Sequence, residues 1–150
     1  MMHLDQLRME LEYDEGCKYE VYLDHLGLKT FGIGHLCTVD DPENACEVGT
    51  AVSEQRVIEA FEKDVQDTLT DCKRLYEDWV DLPDEAQLVI ANMMFNLGYP
   101  RLSKFVGMKA GVDARDWNQA ADEMYDSRWR QQVPNRAERL ITRMRNIANM

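Results

Sequence analysis

The chain has 150 residues, 45% of them hydrophobic, which fits one domain or two small lobes and argues against a disordered chain. No window approaches the roughly 18 consecutive apolar residues of a membrane span, and the first residues lack the pattern of a secretory signal peptide. A net charge of −11 argues against nucleic acid as a partner, although residues 127–150 hold six arginines against one glutamate and are locally basic. We therefore expect a protein made in the cytoplasm, with no nucleic-acid or membrane partner.

The first third of the chain predicts a helix, a hairpin and a loop. Apolar residues at helical spacing predict a helix over 5–15, which Gly16 can end. Two extended runs separated by a turn predict a small antiparallel β-hairpin within 17–36. Residues 38–52 are rich in Asp, Pro, Asn and Gly, and this composition predicts a loop.

The remainder of the chain reads as helical. Ser53 can cap a long amphipathic helix that runs to about Trp79, and residues 84–97, apolar nearly all round, predict a buried helix that Gly98 closes. Shorter helices are predicted at 101–110, 114–125 (with Asp113 as cap), 127–131 and 135–148. The fold class is therefore α+β and mostly helical: a small lobe with a β-hairpin, a long connecting helix and a helical C-terminal lobe. The small lobe is predicted to cover approximately 14–60, and the helical lobe 1–13 and 61–150.

Cysteine and histidine spacing gives no sign of a metal site. The four cysteines lie at irregular intervals without a Cys-x-x-Cys motif, and the three histidines do not form a zinc-binding pattern. We expect reduced thiols, no metal and no cofactor.

Glu15 and Asp24 form a candidate pair of catalytic carboxylates. Glu15 ends the first predicted helix and Asp24 follows the first predicted strand, so one turn can bring both to the same opening. Hydrolysis of a glycosidic bond needs one carboxylic acid to protonate the leaving oxygen and a second carboxylate to activate water or attack directly. In a chain with 28 acidic residues, the pair alone is weak support for this chemistry.

Three ordered motifs make the pattern specific. The first combines Asp14-Glu15-Gly16, Tyr22-Leu23-Asp24 and the run Gly27-Leu28-Lys29-Thr30-Phe31-Gly32-Ile33-Gly34-His35-Leu36. The second is Ala91-Asn92-Met93-Met94-Phe95-Asn96-Leu97-Gly98, and the third joins Ser127-Arg128-Trp129 to Pro134-Asn135-Arg136-Ala137-Glu138-Arg139. Over nearly its whole length the chain resembles the T-even phage lysozymes, glycoside hydrolase family 24. The resemblance implies a lysozyme-like two-lobe fold and a bacteriolytic enzyme that cleaves the β-1,4 bond between N-acetylmuramic acid and N-acetylglucosamine in peptidoglycan.

The resemblance also implies roles for individual residues. Glu15 becomes the general acid, Asp24 the carboxylate opposite it, and Thr30 a residue that helps hold the attacking water. The family reaction inverts the anomeric centre, which implies carboxyl groups about 6.5–9.5 Å apart. The third motif places Arg136 as the residue that positions Glu15.

Further positions match the family's supporting and substrate-contacting residues. His35 and Asp64 match an ion pair between the hairpin and the long helix, and Trp129 matches a structural residue beside Asn96. The positions matching substrate contacts are Leu36, Phe95, Asn96, Met108, Glu123 and Arg128. Met108 and Glu123 depart from the family's usual Ser and Asn, so the details of these subsites are open.

Two other biochemical functions and two biological contexts remain as alternatives. A lytic transglycosylase needs the acid but no water-activating carboxylate, and a non-catalytic wall-binding domain needs neither. Retention of Glu15, Asp24 and Thr30 favours the hydrolase over both. We expect a monomeric phage or prophage endolysin that stays in the host cytoplasm until a holin-like protein permeabilises the membrane; a lysozyme mounted on a phage tail is the alternative setting.

Overall fold

The computed structural model describes residues 2–150, so residue 1 of the predicted helical lobe lies outside the described residues. The fold is mostly helical α+β, with a three-stranded antiparallel sheet in the first third, and the predicted fold class is confirmed. The strands are β1 (Lys18–Leu23), β2 (Lys29–Gly32) and β3 (His35–Leu36). The helices are α1 (Leu4–Glu15), α2 (Glu54–Leu75), α3 (Asp84–Leu97), α4 (Tyr99–Leu102), α5 (Val106–Asp113), α6 (Trp117–Tyr125), α7 (Arg128–Gln132) and α8 (Pro134–Asn146).

The backbone separates into two compact units. One consists of residues 8–67, and the other joins the segment up to residue 7 to residues 68–150. Both boundaries fall within helices, α1 and α2, so each of these helices contributes residues to both units.

The sheet belongs to the unit of residues 8–67 and has the order β1-β2-β3. The turn between β2 and β3 is built on Gly32 and Gly34, whose φ angles of +65° and +64° favour glycine. Only two residues long, β3 is too short to give a strand pattern, and the predicted hairpin therefore missed it. Main-chain hydrogen bonds also join Val21 of β1 to the loop at Gly49 and Thr50, so the end of that loop lies along the sheet.

Helix α2 begins after Ser53, as predicted, and the Ser53 hydroxyl accepts a hydrogen bond from the amide of Arg56. The predicted end at Trp79 is wrong, because the α-helix ends at Leu75. Tyr76 and Trp79 are both buried, but Tyr76 lies just after the end of the α-helix and Trp79 begins a tighter 3₁₀ turn at Trp79–Asp81. Burial alone does not distinguish this turn from a continued helix.

Helix α3 has the predicted bounds and is buried along nearly its whole length. Pro83 precedes its first residue, and Gly98 follows the last with a positive φ. Its buried Gln87 accepts a hydrogen bond from the Met2 amide and donates one to the Trp79 carbonyl, which fastens the chain's start to this unit. No helix in the described part of the chain is both long and apolar enough to cross a membrane.

Two predictions for the C-terminal helices are corrected. The single helix predicted at 101–110 is two helices, α4 and α5, because Phe105 adopts a non-helical conformation between them. The cap of α6 is Asp116, whose side chain accepts from the Gln119 amide, whereas the predicted cap Asp113 is the last residue of α5. The third motif contains α7, which begins after Ser127, and α8, which begins at Pro134. Both starts are close to the predicted limits.

Candidate active site

Glu15 is the last residue of α1, where Gly16 ends the helix with a φ of +73°. Its side chain is half-buried and lies against Gly34 of the β2–β3 turn. A Cβ atom at Gly34 would stand 2.5 Å from Glu15 Oε1, a separation that real atoms do not tolerate. The position of the Glu15 carboxylate therefore depends on a glycine at residue 34.

Asp24 follows β1 and is held by the tight turn that it starts. Its Oδ1 atom accepts hydrogen bonds from the amides of Leu26 at 2.8 Å and Leu28 at 2.9 Å, and its own amide donates to the Leu28 carbonyl. Among residues 2–150, no side chain or main-chain group hydrogen-bonds to Oδ2. The turn thus fixes the carboxylate through one oxygen and leaves the other available to a ligand or water.

Thr30 is buried in β2, where it pairs with Tyr22 of β1 and Leu36 of β3. Its hydroxyl donates its proton to the Leu28 carbonyl at 3.0 Å, which leaves the oxygen's lone pairs as acceptors. Leu28 therefore contacts both polar side chains, binding Asp24 through its amide and Thr30 through its carbonyl. The two residues that the resemblance assigns to the water are held by the backbone of a single residue.

Tyr22 belongs to the first motif, but the sequence analysis gave it no role; in the sheet it pairs with Thr30. Partial burial raises the pKa of its phenol, and the negative charges of Glu15 and Asp24 raise it further. Lys18 lies over the ring face, with its Nζ 4.3 Å from the ring centroid. Tyr22 is thus close enough to both candidate carboxylates to experience their fields, and its position opposite Thr30 depends on strand register.

His35 lies between two carboxylates. Its Nδ1 is 2.7 Å from Asp64 Oδ2, the partner that the resemblance implies, and its Nε2 is 2.9 Å from Asp41 Oδ2. Burial of the ring lowers the pKa of His35, but the hydrogen bonds to the two aspartates and their charges outweigh burial and raise it above its ordinary value. The sequence analysis did not identify Asp41, because its approach depends on the path of the 38–52 loop.

Arg56 of α2 ties the same loop to the helix. Its Nη2 donates to Asp41 Oδ1 at 2.8 Å, and its Nε donates to Glu43 Oε2 at 2.9 Å. Burial favours protonation of Asp41, but the Thr38 amide, the charge of His35 and its hydrogen bond together bring the pKa of that carboxyl down to about 2. The loop beside the candidate site is therefore fastened by two cations, His35 and Arg56.

The third motif lies in the other unit, where it packs around α3. Buried Arg136 donates through Nε to Asn92 Oδ1 at 2.8 Å, and Trp129 donates through Nε1 to Asn96 Oδ1 at 2.8 Å. Trp129 is buried and Phe95 is half-buried. The amide side chains of α3 therefore orient the two large residues of the motif.

Three of the predicted substrate contacts line one groove in this unit. Met108, Glu123 and Arg128 surround it, together with Trp129, and its volume is about 510 Å³. Met108 is almost completely buried at its floor, whereas Glu123 and Arg128 are exposed at its walls. Leu36 is exposed on β3 and belongs to the unit of residues 8–67.

Replacing Gly34 by alanine tests whether the glycine leaves the space that the Glu15 carboxylate occupies. The added Cβ displaces the carboxylate that the resemblance assigns as the general acid, so we expect the kcat of the peptidoglycan cleavage that the resemblance implies to fall about tenfold, since small misplacements of a reacting group are costly. Because alanine is strained at the positive φ of this position, the free energy of unfolding should also fall by about 1–2 kcal/mol, as measured by denaturant titration. Gly49→Ala is the matched control, because Gly49 also has a positive φ but open space around it. Equal kcat values for the two variants would contradict this role of Gly34.

Comparison with known proteins adds an independent finding. A family model described as phage lysozyme matches residues 12–146. Two proteins of Dictyostelium discoideum, "Probable T4-type lysozyme 2" and "Probable T4-type lysozyme 1", are 30% and 31% identical to the chain. The matches cover 93% and 88% of this chain and 93% and 89% of the relatives. "Pre-baseplate central spike protein Gp5" of Enterobacteria phage T4 is 29% identical over 87% of this chain but only 26% of its own length.

Proposed function

The chain belongs to the phage lysozyme family of peptidoglycan-hydrolysing muramidases, and from that premise we propose that Glu15, Asp24 and Thr30 carry out the reaction. The scissile bond is the β-1,4 bond between N-acetylmuramic acid and N-acetylglucosamine. Glu15 donates a proton to the leaving oxygen, while Asp24 and Thr30 hold the water that attacks the opposite face of the sugar.

The arrangement around Leu28 is the observation that carries the proposal. Asp24 presents an oxygen that is not engaged within the described chain, and the Thr30 hydroxyl has already donated its proton to a carbonyl. Both groups can therefore accept hydrogen bonds from one water molecule, which leaves the water's lone pairs for attack. Because a water must fit between the carboxylate and the sugar, the outcome is inversion, with the carboxyl groups about 6.5–9.5 Å apart.

Glu15 fits the role of the acid because its position is determined from two sides. The helix end at Gly16 directs the backbone, and the glycine at residue 34 leaves room for the carboxyl group. A fixed donor loses little freedom when the sugar binds, which favours proton transfer along a defined direction. In the proposal, Arg136 is a positioning residue. The substrate contacts are Leu36, Phe95, Asn96, Met108, Glu123 and Arg128.

We propose that the enzyme works as a monomeric endolysin, made in the host cytoplasm and dependent on a holin-like permeabiliser. The matches cover nearly the full length of the two Dictyostelium relatives, whereas the spike protein carries its similar region as about a quarter of a longer chain. Bacteria expressing the chain should lyse only after their inner membrane is permeabilised. Lysis without permeabilisation would contradict this dependence.

Analysis of the products from purified peptidoglycan tests the reaction itself. In H₂¹⁸O the expected products carry a reducing N-acetylmuramic acid end with one ¹⁸O at C1, and NMR taken at once shows the α-anomer that inversion produces. Anhydro-muramyl ends without ¹⁸O would mean a lytic transglycosylase and would overturn the role of Asp24 and Thr30. A protein that binds the wall without releasing products would be a binding domain, which would overturn the catalytic assignment.

A further inference from the structure

The segment of residues 38–46, which follows β3, is fastened to its unit by side chains. The chain on either side of it is held by the main chain: the Cys37 amide donates to the Lys29 carbonyl, and the Gly49 amide donates to the Val21 carbonyl. In the part of the chain that the structure describes, no hydrogen bond between main-chain groups ties the segment itself to the rest of the unit. The position of the 38–46 segment therefore depends on the contacts of its side chains.

Asp41 connects this segment to both β3 and α2. Its Oδ2 atom accepts hydrogen bonds from His35 Nε2 at 2.9 Å and from the Thr38 amide at 2.8 Å, while Oδ1 accepts from Arg56 Nη2 at 2.8 Å. Both cations also contact the buried ring of Phe31. The Arg56 guanidinium carbon is 5.2 Å from the centroid of that ring, and the centroid of the His35 ring is 4.8 Å from it. One carboxylate thus joins two cations that pack against the same core residue of the sheet.

The main chain of His35 continues directly into the candidate active site. The residue before it, Gly34, leaves the space that the Glu15 carboxylate occupies, and the residue after it, Leu36, pairs with Thr30. A displacement of β3 at His35 would therefore move Gly34 relative to the carboxylate of Glu15. The same displacement would disturb the strand pairing that holds Thr30.

We infer that Asp41 is a positioning residue for the reaction, which holds the turn between β2 and β3 through His35 and is itself held by Arg56. The inference rests on the proposed function, since that function requires Glu15 and Thr30 to keep their places. Asp41 does not touch the substrate in this inference. It acts through the imidazole of another residue, and its effect reaches the reacting groups along β3.

The contact between Asp41 and His35 depends on the charge of the imidazole. With Asp64 at Nδ1 and Asp41 at Nε2, both ring nitrogens can donate only when the ring is protonated. The other charged or titratable side chains around these groups are Cys37, Glu43, Lys29 of β2, and Arg56, Glu59 and Lys63 of α2. Burial raises the pKa of the Cys37 thiol, and the hydrogen bonds from Arg56 lower the pKa of Glu43. His35 is therefore the member of this group that changes its charge near neutral pH.

The kinetics of Asp41→Asn test the inference. Asparagine keeps the shape of the side chain, but its single oxygen cannot accept from both His35 and Arg56. Between pH 5 and 6 we expect kcat on peptidoglycan to fall about fivefold with an unchanged KM, because a displaced acid slows the reaction without weakening binding. As pH rises through the raised pKa of His35, the ratio of the two kcat values should return toward one, because the neutral ring of the wild type no longer donates to both aspartates. Glu15 is common to both enzymes, so its own ionisation cancels in the ratio.

NMR measures the effect on His35 without any substrate. The Cε1 proton of His35 should titrate about one pH unit lower in Asp41→Asn, since the ring loses one of its two carboxylate partners. Exchange of the Asn44 amide, which donates to the Asp41 carbonyl within the 38–46 segment, should be about tenfold faster than in the wild type at pH 6. These two measurements report the hold of Asp41 on the ring and on the segment separately from catalysis.

Two further variants separate positioning from a general effect of charge. Asp40→Asn removes the same charge from the exposed neighbour, which does not bond to His35, and we expect wild-type kcat and titration. Arg56→Gln removes the anchor on α2 but leaves both carboxylates on the ring, so kcat should fall while His35 titrates higher instead of lower. Thermal unfolding shows that each variant is folded.

Three results would each overturn the inference. The first is an unshifted titration of His35 in Asp41→Asn, and the second is a wild-type kcat in either Asp41→Asn or Arg56→Gln. The third is a loss of kcat in Asp41→Asn that stays constant from pH 5 to 9, since a purely structural role would give that result. Because the titration and the amide exchange need no substrate, they are independent of the product analysis that tests the proposed function.

Discussion

Glu15→Gln should lower kcat on peptidoglycan about 10³-fold while leaving the protein folded. Glutamine keeps the shape that fits against Gly34, but it has no acidic proton to give to the leaving oxygen. The release of reducing ends measures kcat, and thermal unfolding measures the fold. Glu12→Gln, an exposed change one turn earlier in α1, is the matched control and should retain the wild-type rate.

Asp24→Asn should reduce hydrolysis by a similar factor for a different structural reason. The asparagine carbonyl can still accept from the amides of Leu26 and Leu28, so the turn is preserved. Its NH₂ group, however, replaces the unengaged carboxylate oxygen and presents a donor where the water needs an acceptor. Asp40→Asn in the exposed loop is the control. An Asp24→Asn enzyme that keeps more than a tenth of the wild-type rate would show that Asp24 does not activate the water.

The helices could be predicted where the sequence marks both of their ends. Helix α3 agrees with its prediction because Pro83 precedes it, Gly98 follows it and nearly every residue between them is apolar. The predicted end of helix α2 is too late because the buried Tyr76 and Trp79 prolong the apolar pattern beyond Leu75, where the α-helix ends. Periodicity reports which residues are buried, and it does not report the backbone that buries them.

The candidate site, like the helices, could be predicted only in part from the sequence. Spacing and resemblance identify Glu15, Asp24 and Thr30, since these side chains belong to recognisable motifs. The sequence does not reveal that the backbone of Leu28 holds two of them, because any residue type offers the same amide and carbonyl. The sequence also does not reveal that Tyr22 lies opposite Thr30, because this place follows from strand register.

The pair formed by His35 and Asp64 was implied by resemblance, but its electrostatics depend on Asp41. With a carboxylate oxygen on each ring nitrogen, both nitrogens must donate, and only the protonated ring has two N–H groups. A neutral ring would direct a lone pair at one carboxylate. The geometry therefore requires a charged imidazole, in agreement with the raised pKa of His35.

Stability should consequently change with pH in opposite directions at the two ends of the range. A raised pKa in the folded state gives His35 a contribution that is complete below its ordinary value of about 6.5 and is lost as pH rises through the folded value. The pKa of Asp41, lowered to about 2, gives a contribution that is present above its ordinary value of about 3.9 and is lost as pH falls toward 2. Both contributions are complete between about pH 4.5 and 6, so the cluster stabilises the fold most in that window.

His35→Gln should lower the free energy of unfolding by about 2–3 kcal/mol at pH 5, somewhat less than the 3–5 kcal/mol of a fully buried pair because Asp64 keeps 23% of its side chain exposed. The difference from the wild type should shrink as pH rises through the raised pKa of His35, because the wild type then loses the imidazolium charge. Urea titrations at a series of pH values measure both effects. Asp67→Asn removes an exposed carboxylate that pairs with Lys63 on the same helix, and it should change stability by less than about 0.5 kcal/mol without this pH dependence. A constant difference between His35→Gln and the wild type from pH 5 to 9 would mean that the ring supports the loop by packing, with no contribution from its charge.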